Sequence, residues 1–366
     1  MKEIKISTFQ FFYLVVMFEL GSASLLDVAA PAKQDGWIVL LISAMLGTLI
    51  YFVYVALYNK YPNMTFTGYS REIWGKYVGW LVGFVYVLYF IYIAARVLRD
   101  FEELLMISIY QQTSIFLLGL CMILTIMYGI YKGFEVFIRS VWIYFFVYFF
   151  ILYSIIGLEI ISGLISLQNI KPILGDGLGP VFKQIFPMTL TVPFGEMVAF
   201  TMLLPYLQNQ KKARKIGVIA ILVSGLLLAN DALRHVAILG VDVEQRAIFP
   251  ILTVVSYINY AGFIQRLEAL VILLLVILGF VKISVFFFCA VIGLSDLFRV
   301  SKPTTLIYPV GTIIFISSIV MAPNYMNHIR EGLKIVPYYL HIPIQFIIPC
   351  LLLLTAKIRG KKKVTP

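Results

Sequence analysis

Ten stretches of this chain run for about a bilayer's width with few charges. They cover residues 9–30, 37–58, 78–110, 115–131, 134–162, 184–207, 216–240, 265–298, 304–321 and 336–356. A spanning helix needs about 20 predominantly apolar residues, so the pattern predicts ten transmembrane helices, numbered here as spans 1–10. Spans 3 and 8 are longer than a bilayer requires and should tilt or protrude. No second domain is visible. The whole chain, 1–366, reads as one polytopic membrane domain of all-α class.

Two spans are interrupted at matching places. Span 1 contains MFELGSASLLD (17–27), where Glu19, Gly21, Ser22, Ala23 and Ser24 stand among large apolar residues. Span 6 reads FPMTLTVPFGEMVAFTMLLPYL, where Pro187, Pro193 and Gly195 break the helical pattern and Glu196 follows. The breaks lie five spans apart, and an odd repeat of five inverts the second half relative to the first. That predicts a five-plus-five inverted repeat, residues 7–162 followed by 184–356. Interrupted spans at corresponding positions are a pointer to a transporter-type site. Unwound backbone needs partners that lipid cannot give, and small residues such as Gly21, Ser22 and Ala23 let a ligand reach the main chain. The same residues also suit close helix packing.

Ionisable residues inside spans extend the picture. Arg96, Arg99, Asp100, Glu102 and Glu103 cluster toward one end of span 3, where Arg96–Asp100 and Arg99–Glu103 have i,i+4 spacing. Arg266 and Glu268 open span 8, and Asp231 and Arg234 close span 7. These groups read either as a structural ion network or as an extracellular gate. Lys282 is different, because it lies about 24 Å along the helix from Arg266 at 1.5 Å per residue. No acid is local to it. A lysine at that depth is a functional hypothesis, with Glu19, Glu196 or a ligand carboxylate as partner.

Composition fits this reading. The chain is 61% hydrophobic and 13% charged, against about 25% charged for a soluble domain. The net charge of +11 therefore describes loops rather than a nucleic-acid-binding face. With the N-terminus inside, inside loops hold 18 basic residues and outside loops 6. That bias predicts both termini, and the QKKARK loop at 210–215, on the cytoplasmic side. Cys121, Cys289 and Cys350 read as small buried hydrophobes. With three scattered histidines, no metal site or cofactor is expected. GDGLGP (175–180) lacks the strand and Lys-Ser/Thr of a phosphate loop and reads as a turn-rich connection. No nucleophile–base pair argues for an enzyme.

Six segments carry a resemblance: STFQFFYLVVMFELGSASLL, DGW at 35–37, ARVLRDFEELL, NIKPILGDGLGPVFKQIFP, PFGEM and QRLEAL. Together they resemble the B subunit of spore nutrient-germinant receptors, a family similar to the amino acid–polyamine–organocation (APC) permeases. The resemblance runs from about residue 5 to 358. It implies a LeuT/APC-like fold with broken helices 1 and 6, in the inner membrane of an endospore. It also implies A and C subunits as partners, and a small nutrient ligand, often an amino acid. The family's pocket maps onto Gly21, Tyr89, Ile93, Phe194, Gly195, Val281 and Lys282, beside Ser22, Ala23 and Glu196 from the breaks themselves. Relatives often have glycine where this chain has Ala23, and can have a small polar residue at 282. Both departures bear on ligand size and charge. An amino-acid or proton-coupled transporter would use the same pocket.

Overall fold

The computed structural model describes residues 5–260 and 265–359. Lys2 and Lys361, Lys362 and Lys363, counted in the charge bias, lie outside the described residues, as do both chain ends. Among the described residues, nine helices are long and apolar enough to cross a membrane, and a shorter apolar helix, Ile115–Tyr131, supplies span 4. The others are Thr8–Leu26, Gly36–Lys60, Lys76–Ser108, Phe134–Ile161, Gly179–Met202, Ala213–Leu239, Glu268–Phe298, Pro303–Val320 and Pro337–Ile358. All ten expected spans are present. Spans 3 and 8 are indeed long, at 33 and 31 residues.

Both expected breaks are present. Span 1 starts at a capping box, in which Ser7 Oγ accepts from the Gln10 amide and Gln10 Oε1 accepts from the Ser7 amide. It leaves helical geometry at Gly21 (φ −17°, ψ −108°) and ends at Asp27 in the left-handed region. Span 6 is α-helical over Gly179–Gln184, widens over Ile185–Thr189, and resumes as a tight 3₁₀ helix over Phe194–Met202. Pro187 and Pro193 lack the amide that an uninterrupted helix would need. The last span is also irregular, with wide turns over Pro337–Ile347 around Pro343.

Span 3 packs most extensively on span 8, and span 2 on span 7. These are corresponding members of the two halves. Their close approach relies on small residues. Gly217 and Gly225 leave room for Tyr51 and Ala44, and Gly279 and Gly293 for Phe101 and Val87. Span 1 lies against spans 7 and 8. The start of span 1 is tied to the end of span 6, with the Ile6 amide donating to Tyr206 O (2.8 Å) and the Gln208 amide to Ile6 O (2.9 Å). The two broken spans therefore run antiparallel, as an inverted repeat demands.

Contacts between connections gather on two faces. Lys60 donates to Ala356 O, Arg71 pairs with Asp296, and Arg359 reaches Ile73 O, all on the Ile6 face. On the opposite face Lys33 pairs with Asp176 (2.8 Å) and Gln34 donates to Pro172 O. The 171–178 connection is turn-rich, as expected. The perimeter is apolar, with Trp142, Phe146 and Phe150 of span 5 exposed where lipid would lie. Here the cysteine expectation needs correction. Cys289 is buried, but Cys121 and Cys350 are exposed, because an apolar run in lipid has an outward face as apolar as its inward one.

Candidate functional site

Lys282 lies across the break in span 1. Its stem fills the space that a side chain at Gly21 would need. Its Nζ meets Glu196 Oε2 at 2.5 Å and sits 5.1 Å from the centre of the Phe18 ring. All three side chains are fully buried or nearly so. The ammonium and carboxylate meet as an ion pair outside aligned hydrogen-bond geometry, since neither atom completes a directed bond. Glu19 is fully buried within electrostatic range of Lys282 and Glu196, and neither of its oxygens has a hydrogen-bond partner. Of the three partners open to Lys282, the structure thus gives Glu196 direct contact. A second acid thus lies near the same ammonium without touching it.

A small cavity of about 40 Å³ adjoins this centre, lined by Ser22, Ile93, Arg96, Asp100, Glu196 and His341 among others. Its apolar rim includes Met188 and Leu333, which also line a wider vestibule of about 740 Å³ on the Lys33–Asp176 face. Ser22, Ile93 and Glu196 therefore meet at one cavity. Gly21, Ala23 and Val281 are buried but are not among its lining residues. Phe194 points elsewhere, packing on Gly47 of span 2 and near Gly225 of span 7. Tyr89 reaches the cavity through His341, bonding its Nδ1 at 2.9 Å.

That last contact belongs to a network missed in the sequence. Gln345 donates to Tyr89 Oη (2.8 Å), Tyr54 donates to Gln345 O (2.7 Å), and Gln345 Oε1 crowds the position where Gly195 has no side chain. Spans 2, 3, 6 and 10 meet there. The available signal was a histidine and a glutamine with i,i+4 spacing inside an apolar, proline-interrupted span. Wide helical turns of this kind often accompany functional sites.

The span 3 cluster departs from its spacing. Arg99 pairs with Glu103 (2.7 Å), as expected. Arg96 and Asp100 do not pair. Asp100 Oδ1 bonds His328 Nε2 at 2.8 Å, and Arg96 donates to His328 O at 2.5 Å. Spacing places the two residues one turn apart, but His328, arriving from a connection after span 9, offers each a better-aligned partner. Glu102 accepts from Ser318 of span 9. Arg266 is exposed and Glu268 half-buried at the start of span 8, away from this cluster's ion pairs.

A second buried ionic centre joins spans 1, 5 and 7. Arg234 donates to both oxygens of Glu159 (2.6 and 2.7 Å) and to Asp231 (2.6 Å). His235 Nδ1 bonds Asp27 Oδ2 at 2.9 Å. Glu244, in the loop after span 7, lies near Asp27. Burial, and secondarily the Asp27 charge, push its carboxyl up to about 9. Among the described residues no group of His, Cys, Asp and Glu is arranged to hold a metal.

Broken first and sixth spans around a buried polar centre, with corresponding spans packed on each other, define a transporter-type membrane fold built as a five-plus-five inverted repeat. A solved structure of Mhp1, a nucleobase-cation-symport-1 family transporter in a closed conformation with bromovinylhydantoin bound, shares that fold (TM-score 0.59, 10% identity, 96% of this chain and 90% of that one). The chain belongs to the spore germination protein (spore permease) family, whose model matches residues 5–326. It is 38% identical to spore germination protein KB of Bacillus subtilis over 365 residues, covering 99% of this chain and 97% of that protein. It is 23% identical to spore germination protein A2 of the same organism, covering 92% and 94%.

Proposed function

We propose that this protein is the membrane subunit of a nutrient-germinant receptor, in which a small nutrient, an amino acid, binds between spans 1, 3, 6 and 10 and triggers germination. The observation that carries the reading is the meeting of both helix breaks, a cavity and a mid-membrane ion pair at one place. Ser22, Ile93 and Glu196 contact the ligand in this scheme. Gly21, Ala23, Tyr89, Gly195, Val281 and Lys282 shape the site without lining the cavity, and Phe194 fixes span 6 against span 2. A cavity of about 40 Å³ has room for only a few water-sized probes, so ligand entry requires Met188 and Leu333 at the rim to move. That coupling of binding to helix movement is what a receptor has to report to its partners, here an A and a C subunit.

The family and the apolar perimeter support residence in the endospore inner membrane. The basic bias of the Ile6 face supports cytoplasmic termini. Deleting the gene should remove the spores' germination response to one nutrient class while leaving responses to others. A deletion strain that germinates normally with every nutrient tested would refute the reading. A transporter of the APC type would use the same cavity, and gene-dependent uptake of a labelled amino acid into vegetative cells expressing the protein would favour it.

A further inference from the structure

Among the described residues, every buried lysine or arginine but one is matched to an acid. Lys282 has Glu196, Arg99 has Glu103, and Arg234 has Glu159 and Asp231. The exception is Arg96. It is 8% exposed, lines the central cavity, and among the described residues has no carboxylate within ion-pair distance. Its bonds go to neutral acceptors, the His328 carbonyl at 2.5 Å and the Tyr92 hydroxyl at 3.3 Å. Asp100, one turn on, tempers the local charge, but its Oδ1 accepts from His328. A guanidinium has five N–H donors in a planar fork suited to a carboxylate. Two are used here. Gly332 also lines the cavity, and a side chain there would collide with the guanidinium. The guanidinium therefore packs against the Gly332 backbone at the cavity wall, with three of its donors unused by the protein.

We propose that Arg96 is the anion-binding group of this site and that the ligand it selects carries a carboxylate. This rests on the cavity being the site of the amino acid proposed above, and it adds which group of the protein holds that ligand's carboxylate. Arg96 takes the carboxylate, while the acids on the same cavity, Glu196 and Asp100, suit the ammonium. A neutral sugar would leave the fork unmatched.

The test uses spores with the intact receptor. Wild-type and gene-deleted spores are exposed to the twenty common L-amino acids and to D-glucose, and then to the carboxamide of whichever amino acid gives a gene-dependent response. The carboxamide keeps the ligand's shape and loses its negative charge. It should need a roughly 10–100-fold higher concentration, the range expected for losing hydrogen bonds to a charged group. Arg96→Gln should raise the half-maximal concentration of the free acid by a similar factor and erase the difference between acid and amide. Arg96→Lys should recover part of the loss. Immunoblots of spore membranes control for folding, and the amide comparison in wild type needs no substitution. Equal potency of acid and amide in wild type would overturn the assignment while leaving nutrient binding intact. So would a gene-dependent D-glucose response that Arg96→Gln leaves unchanged. No gene-dependent response to any compound would overturn the receptor reading and this inference with it.

Discussion

Arg234 and Lys282 are both cations buried inside the membrane domain, yet their surroundings differ. Arg234 makes three short hydrogen bonds to two carboxylates, Glu159 on span 5 and Asp231 on its own span. Lys282 touches one carboxylate, leaves a second acid, Glu19, without a hydrogen-bond partner, and borders a cavity. A buried ion pair that stabilises has good geometry and satisfied neighbours. The Arg234 centre comes nearer to that description, with both carboxylates in aligned contact and the guanidinium Nε left without a partner, and reads as a clamp between spans 5 and 7. The Lys282 centre does not. Unsatisfied polar groups beside space are what a site that changes state requires.

The comparison breaks first at Glu159. Glu159→Gln should remove the two-oxygen contact to Arg234 and cost about 3–5 kcal/mol, the usual range for breaking a buried pair. The expected readout is a large drop in thermal stability of the detergent-purified protein. Adding Arg234→Met should not rescue it, because Asp231 is then left unpaired. Lys282→Met should also destabilise and abolish the nutrient response. Here the second change should help, since replacing both members of a buried pair is often nearly neutral. Lys282→Met with Glu196→Gln is expected to recover much of the stability but none of the response. Strict additivity of the two changes would show that the pair is not coupled.

A smaller effect is expected at Gly21. A methyl there meets the Lys282 stem, so Gly21→Ala should push the lysine off Glu196 at a cost of about 1–3 kcal/mol, typical of overpacking. The response should weaken while membrane levels stay near normal. Unchanged dose–response would remove the stem from the mechanism. The last effect, small over any one pH unit and read only as a slope, concerns Glu244. Its folded pKa of about 9 lies above the unfolded value of about 4.3, so the folded state holds an extra proton between them. Stability contributed by this group is full below pH 4 and is lost as pH rises toward 9, by at most about 1.4 kcal/mol per unit. Glu244→Gln should flatten that part of the stability–pH profile.

Much of the architecture was legible because membrane spans announce themselves by length and apolarity, and because glycine and proline leave visible marks on helices. The ten spans and both breaks were read this way. What was not legible depends on side-chain direction. Phe194 sits beside the span 6 break, but the 3₁₀ winding turns it toward Gly47. His328 intercepts Asp100 from a distant connection, which no spacing rule within span 3 could foresee. Cys121 and Cys350 face outward because lipid accepts what a core accepts. Glu159, Arg234, Asp27 and His235 come from three spans, and only the fold brings them together.

The two backbone hydrogen bonds joining Ile6 to Tyr206 and Gln208 bear on how a bound nutrient could be noticed elsewhere. They fasten the start of span 1 to the end of span 6, with the breaks partway along each. A pair of rods pinned at one end has its largest stroke at the other. The pinned face acts as fulcrum, and the vestibule face, with Asp27 and the Lys33–Asp176 bridge, lies at the far end of the lever. A displacement of a fraction of an ångström at the breaks is then magnified with distance from the pin. In this geometry the tie matters less for holding the protein together than for choosing which end of it moves.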